Sequence, residues 1–261
     1  TNGFWEGLLW LLYSRTGKQA YREAAQQGEA LLDGAFRNYP RLHHDVGFLW
    51  QLSAGLDYKL TGNNESRLRA LFAASILMSR FNLGGGYIRA WNDYPNDDTS
   101  GWSIIDTMMN LSILYWASKE LGDARFARVA QAHADKSLRH HLRPDGSSKH
   151  IVVYDPQTGE ELAERAGQGY ACGSAWSRGQ AWALYGFAIS YRHTGKQEYL
   201  DASKRTANFF IANVQEDWLP RCDFRSPEQP VIYDASAGAI AACGLLELAQ
   251  MLPADEALCY K

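Results

Sequence analysis

One short pattern recurs four times along the chain and restricts its fold more than any other feature. It reads RTGKQAYREAA from Arg15, LTGNNESRLRA from Leu60, ELGDARFARVA from Glu120 and HTGKQEYLDAS from His193. Each copy sets a glycine (Gly17, Gly62, Gly122 or Gly195) between two stretches with helical apolar spacing. Glycine can end a helix in the left-handed conformation that other residues avoid, so the chain reverses at once into a second helix. Four residues after each glycine stands Tyr21, Ser66, Phe126 or Tyr199, and four further on Ala25, Ala70, Ala130 or Ser203. Positions i and i+4 share a helix face, so the small residue lets the second helix lie close against its neighbour. Repeated hairpins of this kind predict a stacked or closed helical array.

Reading outward from the glycines predicts helices at about 3–15, 18–34, 45–60, 64–81, 101–120, 124–141, 175–194, 197–214 and 234–251. Strand signals are scarce. His150–Leu162 (HIVVYDPQTGEEL) alternates around a Pro/Gly turn and reads as a short β-hairpin. Gly84–Asp98 reads as a long loop, a length that often carries function. The first helix of each hairpin starts from a loop rich in Trp, His, Asp or Gly, while the second is plainer and more charged. One end of the array therefore collects the unusual residues.

The 261 residues suit one large domain or two small ones, and a net charge of −3 with no Lys/Arg block exerts no general pull on nucleic acid or membrane. The longest apolar stretch, Ala235–Leu248, is too short to span a bilayer. Cys172, Cys222, Cys243 and Cys259 form no CxxC and no zinc spacing. Nine tryptophans exceed the need of a core this size, which directs attention to the run GQGYACGSAWSRGQAW from Gly167 to Trp182. Indole faces cover the C–H faces of a sugar ring, and amide and guanidinium groups bind its hydroxyl edges.

Individual residues leave alternatives open. Asp45, in HHDVGFLW, stands where an N-cap would. Asp106, in GWSIIDTMMNL, lies in the first turn of a helix among apolar neighbours, a poor place for a merely solvated acid. His150 could be a surface histidine, Trp91, Trp176 and Trp182 core aromatics, and Arg178 a carbonyl cap. HHDVG also suggests a metal, but no further ligand stands at suitable spacing.

Taken in order, GFWEGLLWLLY, HHDVGFLW, GGYIRAWN, SIIDTMMNL, the Gly167–Trp182 run and DASAGAIAACGLLEL resemble glycoside hydrolase family 88, the unsaturated glucuronyl hydrolases. The resemblance covers essentially the whole chain. It implies an all-α fold, the (α/α)6 toroid of helical hairpins. It also implies removal of a 4,5-unsaturated uronic acid from the non-reducing end of lyase-derived oligosaccharides. Asp106 would be the general acid and base, with Asp45 on the ring hydroxyls. His44, His150, Gln168 and Arg178 would line the pocket, and Trp91, Trp176 and Trp182 would form its aromatic walls. No metal or cofactor is implied, and the oligosaccharide is the expected partner of a monomer in the cytoplasm, or in the periplasm if a leader has been removed. About nine helices are read where the family's ring has twelve, so 1–261 are expected to form a single catalytic domain incomplete at both ends.

The chemistry suits one carboxylic acid. Protonation of the enol ether at C4 leaves a cation at C5 that water can attack, and the same group then removes a proton from that water. A single acid must begin protonated, so a mildly acidic optimum is expected. Two other classes remain as alternatives. An unsaturated rhamnogalacturonyl hydrolase of the same fold would tend to RGNGW where this chain has SRGQAW. A non-catalytic sugar-binding toroid could dispense with Asp106. A sugar epimerase would need spaced histidines, and His43–His44 and His140–His141 are adjacent.

Overall fold

The four hairpin glycines behave as the sequence requires, with φ of +67°, +74°, +64° and +68° at Gly17, Gly62, Gly122 and Gly195. Each donates its backbone N–H to the carbonyl four residues back, at Tyr13, Tyr58, Ser118 and Tyr191. The computed structural model describes residues 3–94, 96–214 and 218–261. The glycines close helices α1 (Gly3–Thr16), α4 (Ala54–Thr61), α6 (Thr107–Leu121) and α8 (Ser177–Thr194). They open α2 (Gln19–Leu32), α5 (Asn64–Ser79), α7 (Ala124–His140) and α9 (Gln197–Asn213). Asn63 and Asp123 cap two of these second helices, accepting from the N–H groups of Glu65 and Arg125.

The packing orders these helices into two layers. α1 meets α3 (Val46–Gln51), α3 meets α6, α6 meets α8, and α8 meets α10 (Ala235–Ala249). Each second helix instead packs on the first helix of its own hairpin. This is the (α/α) toroid arrangement, with inner helices side by side and outer helices behind them. Burial follows the layering. α8 is buried on nearly every side, from Gly179 and Ala181 to Phe187 and Ala188, as befits a helix apolar all round. The outer α9 buries one stripe, including Tyr199, Ala202, Ser203, Thr206 and Phe210. The predicted pairing of a larger with a small residue holds, since Ala25, Ala70, Ala130 and Ser203 are all fully buried.

Three predicted boundaries are corrected. The helix expected at 45–60 is two helices, α3 and α4, parted at Ser53, where φ −101° and ψ −95° leave the helical region. The Ser53 hydroxyl donates back to the Leu49 carbonyl at 2.6 Å, a local bond that competes with helix continuation. The helix expected at 18–34 tightens after Leu32 into the 3₁₀ stretch Asp33–Arg41, which contains Pro40. The third correction matters most for the site. The sequence predicts helix from residue 101, but Trp102–Ile104 form a strand (β3), and α6 begins only at Thr107.

The first two strands, β1 (Phe81–Asn82) and β2 (Tyr87–Ile88), form a small hairpin before the 84–98 loop is complete. β3 pairs antiparallel with β4 (Ile151–Tyr154), which pairs with β5 (Glu161–Arg165), so the predicted 150–162 hairpin gains a third strand. Two wholly buried histidines tie α7 to these strands. His133 Nδ1 accepts from the Ile88 N–H at 2.9 Å, and His141 Nε2 lies 3.2 Å from the Ser103 hydroxyl. Burial pushes both far below the ordinary histidine value, to about 3 and about 4, so they act as neutral hydrogen-bonding groups. The short helix α11 (Ala254–Ala257) packs with α10 near the end of the chain. Among the described residues no helix is long and apolar enough to cross a membrane.

Candidate active site

The predicted residues gather where α3, α6, α8 and α10 begin. Asp45, Asp106, Trp176 and Asp234 immediately precede these four helices. The Phe48 ring, in the first turn of α3, lies 5.1 Å from that of Trp182 on α8. Arg178, also on α8, sets its Nε 3.2 Å from Asp234 Oδ2. Helix N-termini present unpaired N–H groups and partial positive charge, so this end of the array favours an anionic ligand.

β3 explains how Asp106 is aimed. Ile104 is paired with Ile151, and the next bond of the ladder runs from the Ile105 N–H to the His150 carbonyl at 3.1 Å. This pairing brings Asp106, the next residue, against His150, with Asp106 Oδ1 3.5 Å from His150 Nε2. Both atoms are buried and without a hydrogen-bond partner among the described residues. Nδ1 of His150 accepts the Gln168 N–H at 2.9 Å, closer than the Ala166 carbonyl at 3.3 Å. A nitrogen that accepts carries no proton in neutral imidazole, so the proton sits on Nε2 and points at Asp106. The His150 ring is held between Trp176, with centroids 4.4 Å apart, and Trp91 at 6.3 Å, edge to face.

The loop that reaches His150 passes through Gly167 at φ +59°, where an added Cβ would lie 2.0 Å from His150 Nδ1. Gly167→Ala therefore meets both left-handed strain and a collision that only movement of His150 could relieve. The variant is expected to remain folded but lose about 100-fold in kcat/KM, the scale of a displacement of about 1 Å in a catalytic group. Steady-state kinetics alongside a thermal melt would test this, and an unchanged kcat/KM would mean that His150 can move without consequence.

Asp45 is not the N-cap that its position suggests, because its side chain accepts no bond from the start of α3. Asp45 Oδ1 instead lies 3.0 Å from Nε2 of His44, which is almost fully buried. His44 Nδ1 is 2.9 Å from the Ala90 carbonyl. A carbonyl and a carboxylate both require a donor, so the geometry favours the doubly protonated ring. Burial pushes the His44 pKa down, but the Asp45 charge, supported by Asp106, outweighs it and holds the imidazolium above the usual range. Burial likewise pushes Asp45 up, and His44 outweighs that, so Asp45 remains ionised below the ordinary carboxylate range. His43 is driven to about 4, by burial and then by the neighbouring His44. The ligand atoms of His43, His44 and Asp45 lie within 4.8 Å of one another. In this arrangement, however, both His44 nitrogens are committed as donors and offer no lone pair to a cation.

The other predicted residues take distinct places. Trp91 stands edge-on to His44 at 5.7 Å and joins the aromatic rim. The Arg178 guanidinium lies 5.1 Å from the Trp176 ring centre and pairs with Asp234 rather than capping a carbonyl. Gln168 serves through its backbone, while its side chain is exposed. Trp176 and Trp182 are buried as core aromatics would be, and they cluster with Phe48. Trp182, Phe48, Met109 and Ile240 also line a cavity of about 560 Å³ that runs between the inner helices.

Two acids that sequence reasoning did not single out hold this site together. Asp234 caps α10, accepting from the N–H groups of Ser236 and Ala237, and presents its other oxygen to Arg178. Its signal was available, since an aspartate directly before a long apolar run is an N-cap pattern. Asp223, almost fully buried, accepts from Tyr170 N–H, Ser174 Oγ, Ala175 N–H and Arg225 N–H at 2.7–3.0 Å. That fixes the glycine-rich loop in front of Trp176. Nothing in the local sequence around Asp223 announces this role.

Comparison with known proteins gives a consistent result. The sequence model of glycosyl hydrolase family 88 matches residues 1–217. The unsaturated glucuronyl hydrolase of Bacillus sp. (strain GL1) is 43% identical over 254 residues, covering 97% of this chain and 67% of that protein. The unsaturated chondroitin disaccharide hydrolase of Streptococcus pneumoniae is 35% identical over 259 residues, covering 98% of this chain and 65% of that protein. The crystal structure of the Bacillus sp. GL1 unsaturated glucuronyl hydrolase superposes with a TM-score of 0.93 at 42% identity, over 97% of this chain and 68% of that one. The chain thus spans about two thirds of the length of these relatives.

Proposed function

We propose, from the premise that this chain belongs to glycoside hydrolase family 88, that it carries the catalytic site of an unsaturated glucuronyl hydrolase. The reaction releases a 4,5-unsaturated uronic acid from the non-reducing end of lyase-generated glycosaminoglycan or polysaccharide oligosaccharides. The observation that carries this reading is the inequality of the two carboxyl groups. Asp45 is bound to the His44 imidazolium, whereas Asp106 turns a buried oxygen without a hydrogen-bond partner toward His150 Nε2. That supports one working acid and one fixed charge rather than an ordinary glycosidase pair.

In this reading Asp106 gives its proton to C4 of the C4=C5 bond, and the ring oxygen stabilises the cation formed at C5. Water adds at C5 and loses its proton to the Asp106 carboxylate, giving a hemiketal. The hemiketal opens by breaking the bond between C5 and the ring oxygen, which leaves a ketone at C5 and a hemiacetal at C1. The hemiacetal releases the aglycone alcohol, so no group attacks the anomeric carbon. The His150 Nε2 proton can hold the Asp106 carboxylate in position between the two proton transfers. Asp45 is placed to accept from ring hydroxyls, and the Trp91, Trp176 and Trp182 rings face the sugar. The helix N-termini and Arg178 favour the substrate carboxylate. No step calls for a metal or cofactor.

Arg178 forms an ion pair with Asp234 through Nε, and no hydrogen bond donated by its two terminal nitrogens is found among the described residues. Arg178→Lys keeps the charge but loses the planar fork that matches a carboxylate. KM is expected to rise about 10- to 100-fold, as for loss of a charge-assisted hydrogen bond, with kcat changed much less. An unchanged KM would place Arg178 outside substrate contact.

The functional reading is tested with unsaturated disaccharides prepared from hyaluronan, chondroitin, heparin and pectin, following loss of the ultraviolet band of the conjugated acid. Turnover of the glycosaminoglycan-derived compounds is expected. Turnover of the pectin-derived compound alone would favour the rhamnogalacturonyl alternative, and turnover of none would favour the non-catalytic one.

A further inference from the structure

A helix that begins with aspartate normally turns that carboxylate onto the N–H two or three residues on, satisfying a donor that has no partner within the helix. At α3 one such donor is the Phe48 N–H, three residues after Asp45. Asp45 does not provide it, being turned to His44. The Phe48 N–H donates instead to Oδ1 of Asn110, at 2.6 Å, from the neighbouring helix α6. The other end of the same amide donates to the Asp106 carbonyl at 3.3 Å. Asn110 is wholly buried, and both ends of its side chain are occupied. The approach depends on Gly47, where a Cβ would lie 2.4 Å from Asn110 Oδ1 and 2.8 Å from its Cα.

We propose that Asn110 caps helix α3 in place of Asp45, freeing the Asp45 carboxylate for the pocket and fixing the start of α3 against Asp106. Asn110 is a positioning residue and does not touch the substrate. The pocket needs both acids at helix N-termini with their side chains unspent. α6 meets the same need differently. Asp106 is in the helical conformation, and the Met108 and Met109 N–H groups bond the carbonyls of Ile105 and Asp106. One buried amide therefore releases Asp45 and sets the spacing between the two carboxylates.

The rate part of the test rests on the proposed function, and the spectroscopic part does not. In Asn110→Ala the Phe48 N–H loses its acceptor, and the Asp45 carboxylate is the group beside it that can replace it. His44, which faces Asp45, His43, Asp106 and the buried His133, then loses its ion-pair partner. Histidine NMR titration should show the His44 pKa falling toward or below the ordinary value. Asn110→Asp, which keeps an oxygen at the same place, should preserve the raised titration. In kinetics, Asn110→Ala should lower kcat about 10- to 100-fold, the scale of a small displacement of a reacting group, and raise KM as Asp45 leaves the ring hydroxyls. Asn110→Asp should recover part of that loss. If the alanine variant does not fold by circular dichroism, Asn110→Ser is used with the same expectations, since its hydroxyl is too short to reach Phe48. A folded alanine or serine variant with His44 titrating as in the unsubstituted protein overturns the proposal whatever its rate. An unsubstituted enzyme inactive on every unsaturated disaccharide overturns the functional reading, while the titration still decides the cap.

Discussion

Asp106→Asn is expected to lower kcat by about 10⁴ or more while leaving substrate binding nearly intact. Removal of a general acid commonly costs about 10²–10⁴ in rate, and in the proposed reaction the same group would also serve as the base for the attacking water. Asparagine has nearly the shape of aspartate, and its carbonyl oxygen can still face the His150 Nε2 proton that Asp106 Oδ1 meets at 3.5 Å. The pocket should therefore keep its form and lose only the transferable proton. Asp45 cannot substitute for it, because its pairing with the His44 imidazolium keeps it ionised below the usual carboxylate range. Single-turnover measurements on an unsaturated disaccharide, with binding followed by tryptophan fluorescence, separate the two effects. A variant keeping more than about a tenth of the kcat would be too active for Asp106 to be an essential proton donor.

The hairpin frame was legible because it rests on local rules. A glycine in the left-handed region followed by a larger residue and a small residue at i and i+4 specifies a helix end, a turn and a close packing face. The candidate site residues could be proposed as a set only through the family resemblance, since Asp45, Asp106, His150, Trp176 and Arg178 each allow an ordinary structural reading when taken singly. What local reading missed depends on long-range pairing. Trp102–Ile104 carry the apolar residues of a helix start, and only β4, nearly fifty residues later, makes them a strand. The aim of Asp106 at His150 follows from that pairing and was invisible without it. The same holds for Asp45, whose sequence position is that of an N-cap. An amide sixty-two residues away takes the Phe48 N–H and overrides the local preference. Asp223, which binds four donors spread from Tyr170 to Arg225, has no local signature of any kind.

The route through the double bond makes the second large expectation, that the corresponding saturated uronide is cleaved at least about 10⁴-fold more slowly than the unsaturated one. The two sugars present the same carboxylate and nearly the same hydroxyls to Arg178, Asp45 and the tryptophan rings. Binding alone therefore should not separate them so widely. The difference arises in chemistry, because a saturated C4 cannot accept the Asp106 proton and no cation forms at C5. Isotopes locate the bonds directly. In heavy water the open-chain product should carry deuterium at C4, since the Asp106 carboxyl exchanges with solvent before donating. In oxygen-18 water the label should enter at C5, read after early quenching because the ketone exchanges with time. An ordinary glycosidase would instead place the label at the anomeric carbon and would use two carboxyl groups flanking the glycosidic bond. Here one carboxyl group is held by His44 and the other faces His150, the inequality on which the proposed protonation at C4 relies. Comparable cleavage of the saturated sugar with label at C1 would return Asp45 and Asp106 to the roles of a conventional pair, and the hydration route would have to be abandoned.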